Sequence, residues 1–363
     1  MSYETGIFSS SCGIRFISHF PLDNRLRENR LVCLMEDRNI REEEVSWQVM
    51  GIEIFGTIVA PDDDNAHPGI VMVAGSGPTD RDWCSPILPG KNGSGRLLAE
   101  ALAREGYVSL RYDKMASGPN VMENLPKFSG KLSMETHLDE VAGAALALNS
   151  CRNVARNQIF ALTSSEGAIH AVNYQLGEKH PKFRGLIMTG APGRSVGEVA
   201  RSQLSEQGKN IPGADLILAK YDEAVEQFLH GIPMEFDNGI PEGVKILLRA
   251  MESPHNLPFS RELWAYSISE HASSIQVPVL VLIGKKDIQV SWKEDGKVLE
   301  EALSQNRDAT FSYPENANHV LKHEEMPLEN LSADYVSSHY NSGGAQIDQG
   351  AMKSIISWLK MHT

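Results

Sequence analysis

The chain has 363 residues, 41% hydrophobic and 22% charged, with a formal net charge of −13. Length and composition fit a large globular core, with room for an inserted subdomain, and exclude a disordered chain. The acidic balance repels phosphate backbones, and the most basic stretch, Arg25 to Arg30, is interrupted by Glu28, so nucleic acid is not an expected partner.

Met1 to Thr5 lacks the basic segment and following apolar run of a secretory signal. Residues 1–44 are mixed and charged, end in Glu42-Glu43-Glu44, and read as an N-terminal extension or edge layer without assigned function. Val45–Val49 and Ile52–Val59 read as strands bounded by Gly51 and by Pro61-Asp62-Asp63-Asp64, which suggests an antiparallel hairpin. Ile70–Ala74, Tyr107–Tyr112, Ile159–Leu162 and Gly185–Thr189 are short apolar strands. Between them, apolar residues recur at helical spacing: Leu98, Ala101 and Leu102, then Leu138, Val141, Ala142 and Ala145. Strands alternating with helices predict an α/β fold, a mostly parallel sheet covered on both faces. The alternation breaks over 195–275, which is helical and too long for a plain crossover, and so predicts an inserted helical cap. Strands resume at Pro278–Ile283 and Thr310–Tyr313, and a helix over Ala351–Met361 closes the chain. The core is thus expected over 45–194 and 276–363. No apolar run approaches the ~18 residues of a membrane span. Cys12, Cys33, Cys84 and Cys151 are widely spaced, which predicts reduced thiols in a cytoplasmic protein rather than a zinc site or disulfide framework.

The sharpest local signal is Thr163-Ser164-Ser165-Glu166-Gly167, between a predicted strand and a predicted helix. A serine exposed on a tight strand-to-helix turn needs small residues two positions before and two after it. Ser165 has Thr163 and Gly167 there, whereas Ser164 would have Leu162 and Glu166. A β-branched Thr163 in place of glycine is expected to crowd the turn, and helix capping by Ser164 or Ser165 is the competing reading. Chain order favours a nucleophile. In parallel-sheet hydrolases the acid and then the histidine follow the serine, and here Asp287 ends the Gly284-Lys285-Lys286-Asp287 loop after one strand and His319 follows the last strand. Asp287 read alone could be a turn carboxylate, and His319 read alone a surface-loop histidine. Asp295 and Glu198 are lower-ranked acids, and His323, expected within a helix, is the lower-ranked base. The loop Gly75-Ser76-Gly77-Pro78 follows the first parallel strand and suits an oxyanion hole built from the backbone N–H groups of Ser76 and Glu166. It lacks the third glycine of a dinucleotide fingerprint, and Gly90–Gly95 has its lysine misplaced for a phosphate loop. Asp80, Arg81, Asp82 and Arg111-Tyr112-Asp113 are expected to pair and brace these loops.

Over about residues 45 to 361 the chain resembles the α/β-hydrolase superfamily, and within it bacterial short-chain carboxylesterases of the dienelactone-hydrolase and prolyl-oligopeptidase branch. The resemblance is carried by Gly75–Asp82, Arg111-Tyr112-Asp113-Lys114, the turn at Ser165, Pro278–Val290 and Asn318-His319. Met115-Ala116-Ser117-Gly118 departs from the Arg-Gly that usually follows Asp-Lys. The resemblance implies hydrolysis of a small-molecule ester through an acyl-enzyme, with Ser165 as nucleophile, His319 as base, Asp287 as orienting acid, and no metal or organic cofactor. A peptidase or amidase, and an inactive small-molecule binding module, are the alternatives. Oligomeric state and acyl chain length are left open.

Overall fold

The computed structural model describes residues 39–363 apart from 88–89, 210–211, 237–238 and 340–343. The expected extension therefore lies outside the described residues up to position 38, as do Cys12 and Cys33. Strands β1 (Ile40–Val49) and β2 (Ile52–Pro61) form the expected antiparallel hairpin. They turn through Met50 and Gly51, whose positive φ angles of 53° and 75° match the right-handed twist of a two-residue hairpin. The boundary drawn at residue 45 falls inside β1. Glu42 to Glu44 pair in register with Val59 to Thr57, and their charges are met by arginines from distant loops: Arg81 Nη1 lies 2.5 Å from Glu44, and Arg111 Nη2 lies 3.6 Å from Glu42.

The remaining strands are β3 (His67–Val73), β4 (Val108–Tyr112), β5 (Val154–Ser164), β6 (Leu186–Thr189), β7 (Val279–Leu282) and β8 (Ala309–Ser312). The sheet order is β1-β2-β4-β3-β5-β6-β7-β8, parallel from β4 onward. The described helices are α1 (Ser94–Arg104), α2 (Val121–Phe128), α3 (Met134–Asn149), α4 (Gly167–Leu176), α5 (Val196–Gly208), α6 (Ala214–Leu229), α7 (Glu242–Glu252), α8 (Phe259–Ala265), α9 (Ile268–Ala272), α10 (Glu294–Ala302), α11 (Ala333–His339) and α12 (Gln349–His362). The short α2 was not expected from the sequence.

Alternation along the buried strands sends side chains to two cores. Val71, Ala161 and Val281 pack with Leu138 and Val141 of α3, Ile169 of α4 and Leu299 of α10. Ile70, Met72, Phe160 and Leu280 pack with Leu98 and Leu102 of α1 and Trp358 of α12. Both sheet faces are thereby removed from water, which is why these strands are apolar throughout. Helices α6, α7 and α8, in the chain between β6 and β7, gather around a third cluster that includes Tyr221, Phe228, Leu248 and Trp264. Among the described residues no helix is long and apolar enough to cross a membrane.

Candidate active site

Strand β5 ends at Ser164 and α4 begins at Gly167, so the chain reverses over Ser165 and Glu166. Ser165 has φ +52°, a left-handed conformation that costs a non-glycine residue free energy and persists only where its surroundings enforce it. Two contacts enforce it here. The Ser165 N–H donates to the Thr189 carbonyl at 2.8 Å. Gly167 packs on the backbone of β3, where a Cβ would overlap the Val73 carbonyl oxygen and lie 2.8 Å from that of Ala74. Thr163 does not crowd the turn as expected. It is still within β5, opposite Met188 and Val73, and its hydroxyl donates to the Ile187 carbonyl at 3.2 Å. Bending starts two residues later, so an extended β-branched residue fits. Among the described residues no side chain caps α4, which leaves the capping reading without support.

Asp287 is buried and accepts from His319 Nδ1 at 2.8 Å. Its other oxygen accepts from the N–H groups of Gln289 (2.8 Å) and Val290 (2.9 Å). A carboxylate only accepts, so Nδ1 carries the proton and Nε2 is left as a base. The Asn318 side chain holds the histidine loop by accepting from the N–H of Val320 and of Lys322. The His319 ring packs on Gly190, its Nδ1 and Cε1 lying 3.2 Å from where a Cβ would project. Ser165 and His319 therefore flank the same Thr189–Gly190 peptide at the carboxyl end of β6. Among the described residues no hydrogen bond joins the Ser165 hydroxyl to His319; such bonds are often loose without substrate.

Ser76, Ser165 and Glu166 line one cavity of about 440 Å³. Val196, Val199, Leu204, Leu247 and Trp264, from α5, α7 and α8, supply much of its apolar wall. Gly75 packs directly on the serine, a Cβ there being 3.3 Å from that of Ser165. Among the described residues the N–H groups of Ser76 and Glu166 have no protein acceptor.

Comparisons with known proteins bear on the fold. No protein-family model matches the chain. The α/β-hydrolase GrgF from Penicillium sp. sh18 superposes with a TM-score of 0.53 at 15% identity, over 89% of this chain and 99% of that one. The chain has the α/β-hydrolase fold. The Pyrococcus furiosus esterase Pf2001 is similar at a TM-score of 0.51, with 14% identity over 96% of each chain. Among curated sequences, esterase EstD of Thermotoga maritima is 25% identical over 297 residues, 81% of this chain. The chain spans 64% of that relative's length.

Within this fold two of the ion pairs expected to brace the loops are present, while the Asp80 carboxylate, among the described residues, accepts only from the N–H groups of Asp82 and Cys84. Arg81 pairs with Asp113 through Nη2 at 2.8 Å, and Arg111 pairs with Asp82 through Nε at 2.9 Å. The lower-ranked site residues serve structure. Asp295 is buried and pairs with Arg194 while accepting from the Gly193 and Ser291 N–H groups. Glu198 closes the capping box of α5 with Ser195. His323 is not in a helix but in an isolated bridge to Ala317, paired with Asp348 at 2.9 Å; its N–H donates to the distant Gln346 carbonyl at 3.0 Å rather than along a helix.

A buried ionisable cluster behind the Ser165 turn was missed from sequence, although it shows there as polar residues on the apolar faces of α3 and α4. His170 Nε2 bonds the Glu166 carboxylate at 3.0 Å, His137 Nδ1 bonds Glu140 at 2.7 Å, and the two rings lie 4.5 Å apart. Burial and the adjacent His137 depress His170 to about 4, despite its bond to Glu166. Burial raises Glu166, but the His170 bond and the Lys114 charge outweigh it and bring the carboxyl down to about 2. Both groups bind fewer protons folded than unfolded, so stability falls with pH: through His170 from about 6.5 to 4, then through Glu166 from about 4.5 to 2. Urea midpoints are therefore expected to drop steadily between pH 7 and pH 4, and His170→Asn should flatten that slope. A flat wild-type profile over this range would contradict the buried cluster.

Proposed function

We propose that the chain is a serine hydrolase that cleaves carboxylic esters through an acyl-enzyme. The observation that carries this reading is the strained Ser165, lining a largely apolar cavity and flanking the same Thr189–Gly190 peptide as His319 of the bonded Asp287–His319 pair. His319 Nε2 takes the hydroxyl proton as Ser165 attacks the ester carbonyl, and Asp287 stabilises the resulting imidazolium. The N–H groups of Ser76 and Glu166 receive the alkoxide of the tetrahedral intermediate. The imidazolium then protonates the departing alcohol. Water, deprotonated by the same base, attacks the acyl-serine and releases the acid.

Helices α5, α7 and α8 act as the cap that shapes the acyl pocket. Their apolar side chains, together with Gln203, Gln207 and Gln289, suit a neutral acyl chain. Among the described residues the only carboxylate lining the cavity, Glu166, is held by His170. The esterase names of EstD and Pf2001 point to the same bond. A fluorophosphonate probe tests the reading, with the tagged peptide mapped by mass spectrometry beside a panel of p-nitrophenyl esters. Labelling at Ser165 is expected, with neutral acyl groups turned over at least about tenfold faster than a hemisuccinate of similar length. A tag on Ser164, or none with an intact fold, would overturn it.

A further inference from the structure

Lys114 follows β4 by two residues and is 3% exposed, yet no step of acyl transfer uses its ammonium. Its Nζ donates to the Gly75 carbonyl at 2.6 Å and lies 3.9 Å from the Glu166 carboxylate. Each contact leads to one of the two free backbone donors. The Gly75 carbonyl and the Ser76 N–H belong to a single peptide unit, and Glu166 carries the other N–H.

Building on the serine-hydrolase reading above, we infer that Lys114 is a positioning residue of the oxyanion hole, tying its two donor peptides to one buried ammonium and polarising the Gly75–Ser76 amide. A charged donor on a peptide carbonyl draws electron density through the amide resonance and makes the N–H on the far side a stronger donor. With solvent excluded, the ammonium also acts on a developing alkoxide at low dielectric. A lysine present only to neutralise Glu166 would make its short contact to the carboxylate. Here the short contact is to the neutral carbonyl, and Glu166 already has His170 at 3.0 Å. The chain is closed on the other side by Glu140, which accepts from the Met115 N–H at 2.6 Å and so anchors the residue next to Lys114.

Wild-type labelling at Ser165 comes first; its failure removes the hydrolase reading itself, independently of anything Lys114 does. Lys114→Met is then compared with wild type using a trifluoromethyl ketone and the methyl ketone of the same chain. The first is captured by Ser165 as a tetrahedral alkoxide, and the second binds without addition. Loss of the ammonium should weaken the trifluoromethyl ketone and lower kcat together by about tenfold to a hundredfold, less than deletion of a donor outright. KM and methyl ketone affinity should move by under about threefold. A purely structural lysine would reduce the folded fraction without separating the two ketones. If Lys114→Met does not fold, the double variant Lys114→Met/Glu166→Gln, which leaves no unpaired carboxylate, carries the measurement. Unchanged trifluoromethyl ketone affinity in a folded variant, or equal losses for both ketones, would overturn the inference.

Discussion

Replacing Ser165 by alanine is expected to lower kcat for ester hydrolysis by at least about a thousandfold, with little change in the melting temperature. The hydroxyl is the atom that would carry the acyl group, and what remains without it is catalysis by the oxyanion donors and binding alone. The backbone contacts that hold the turn, from Ser165 N–H to Thr189 and from Gly167 onto β3, do not involve the hydroxyl, so the fold should be indifferent to its loss. Purified variant and wild type would be compared on the best p-nitrophenyl ester, with single-turnover traces to exclude traces of wild type. A variant that keeps more than a tenth of the wild-type kcat would remove Ser165 from the chemistry.

Gly284→Ala is expected to cost stability and activity together. A Cβ at Gly284 would fall on the Ala317 carbonyl, which also accepts from the Lys286 N–H at 3.1 Å. Asp287 lies three residues beyond the glycine and His319 two beyond Ala317, so the added methyl separates the two loops that carry the acid and the base. Overpacking against backbone that cannot yield should cost about 3 kcal/mol or more. Urea unfolding measures the stability, and kcat should fall by at least about tenfold as the Asp287–His319 bond is strained. Gly243→Ala is the control: nothing lies within 4 Å of its Cβ position in α7, and alanine should be neutral or slightly stabilising there. A Gly284 variant as stable and active as this control would show that the histidine loop has room to move aside.

The described strands and the final helix were legible in the sequence because buried parallel strands are short apolar runs and their crossover helices repeat at 3.6 residues. That the tight turn falls at Ser165 rather than Ser164 was legible too, since the sterics of such a turn act on residues two positions away. Asp287 and His319 could be placed at strand ends by the same local reading. What local patterns could not supply was anything set by distant partners. Glu42 and Glu44 join β1 because Arg111 and Arg81 meet their charges, and Thr163 is tolerated because its hydroxyl finds the Ile187 carbonyl. The burial of Lys114, His137, Glu140, Glu166 and His170 in one cluster comes from three separate stretches of chain. Periodicity and turn sterics are properties of neighbours in sequence, so the sequence alone determined them. Charge compensation and the shape of the cavity arise between groups far apart along the chain, and only the tertiary structure could decide those.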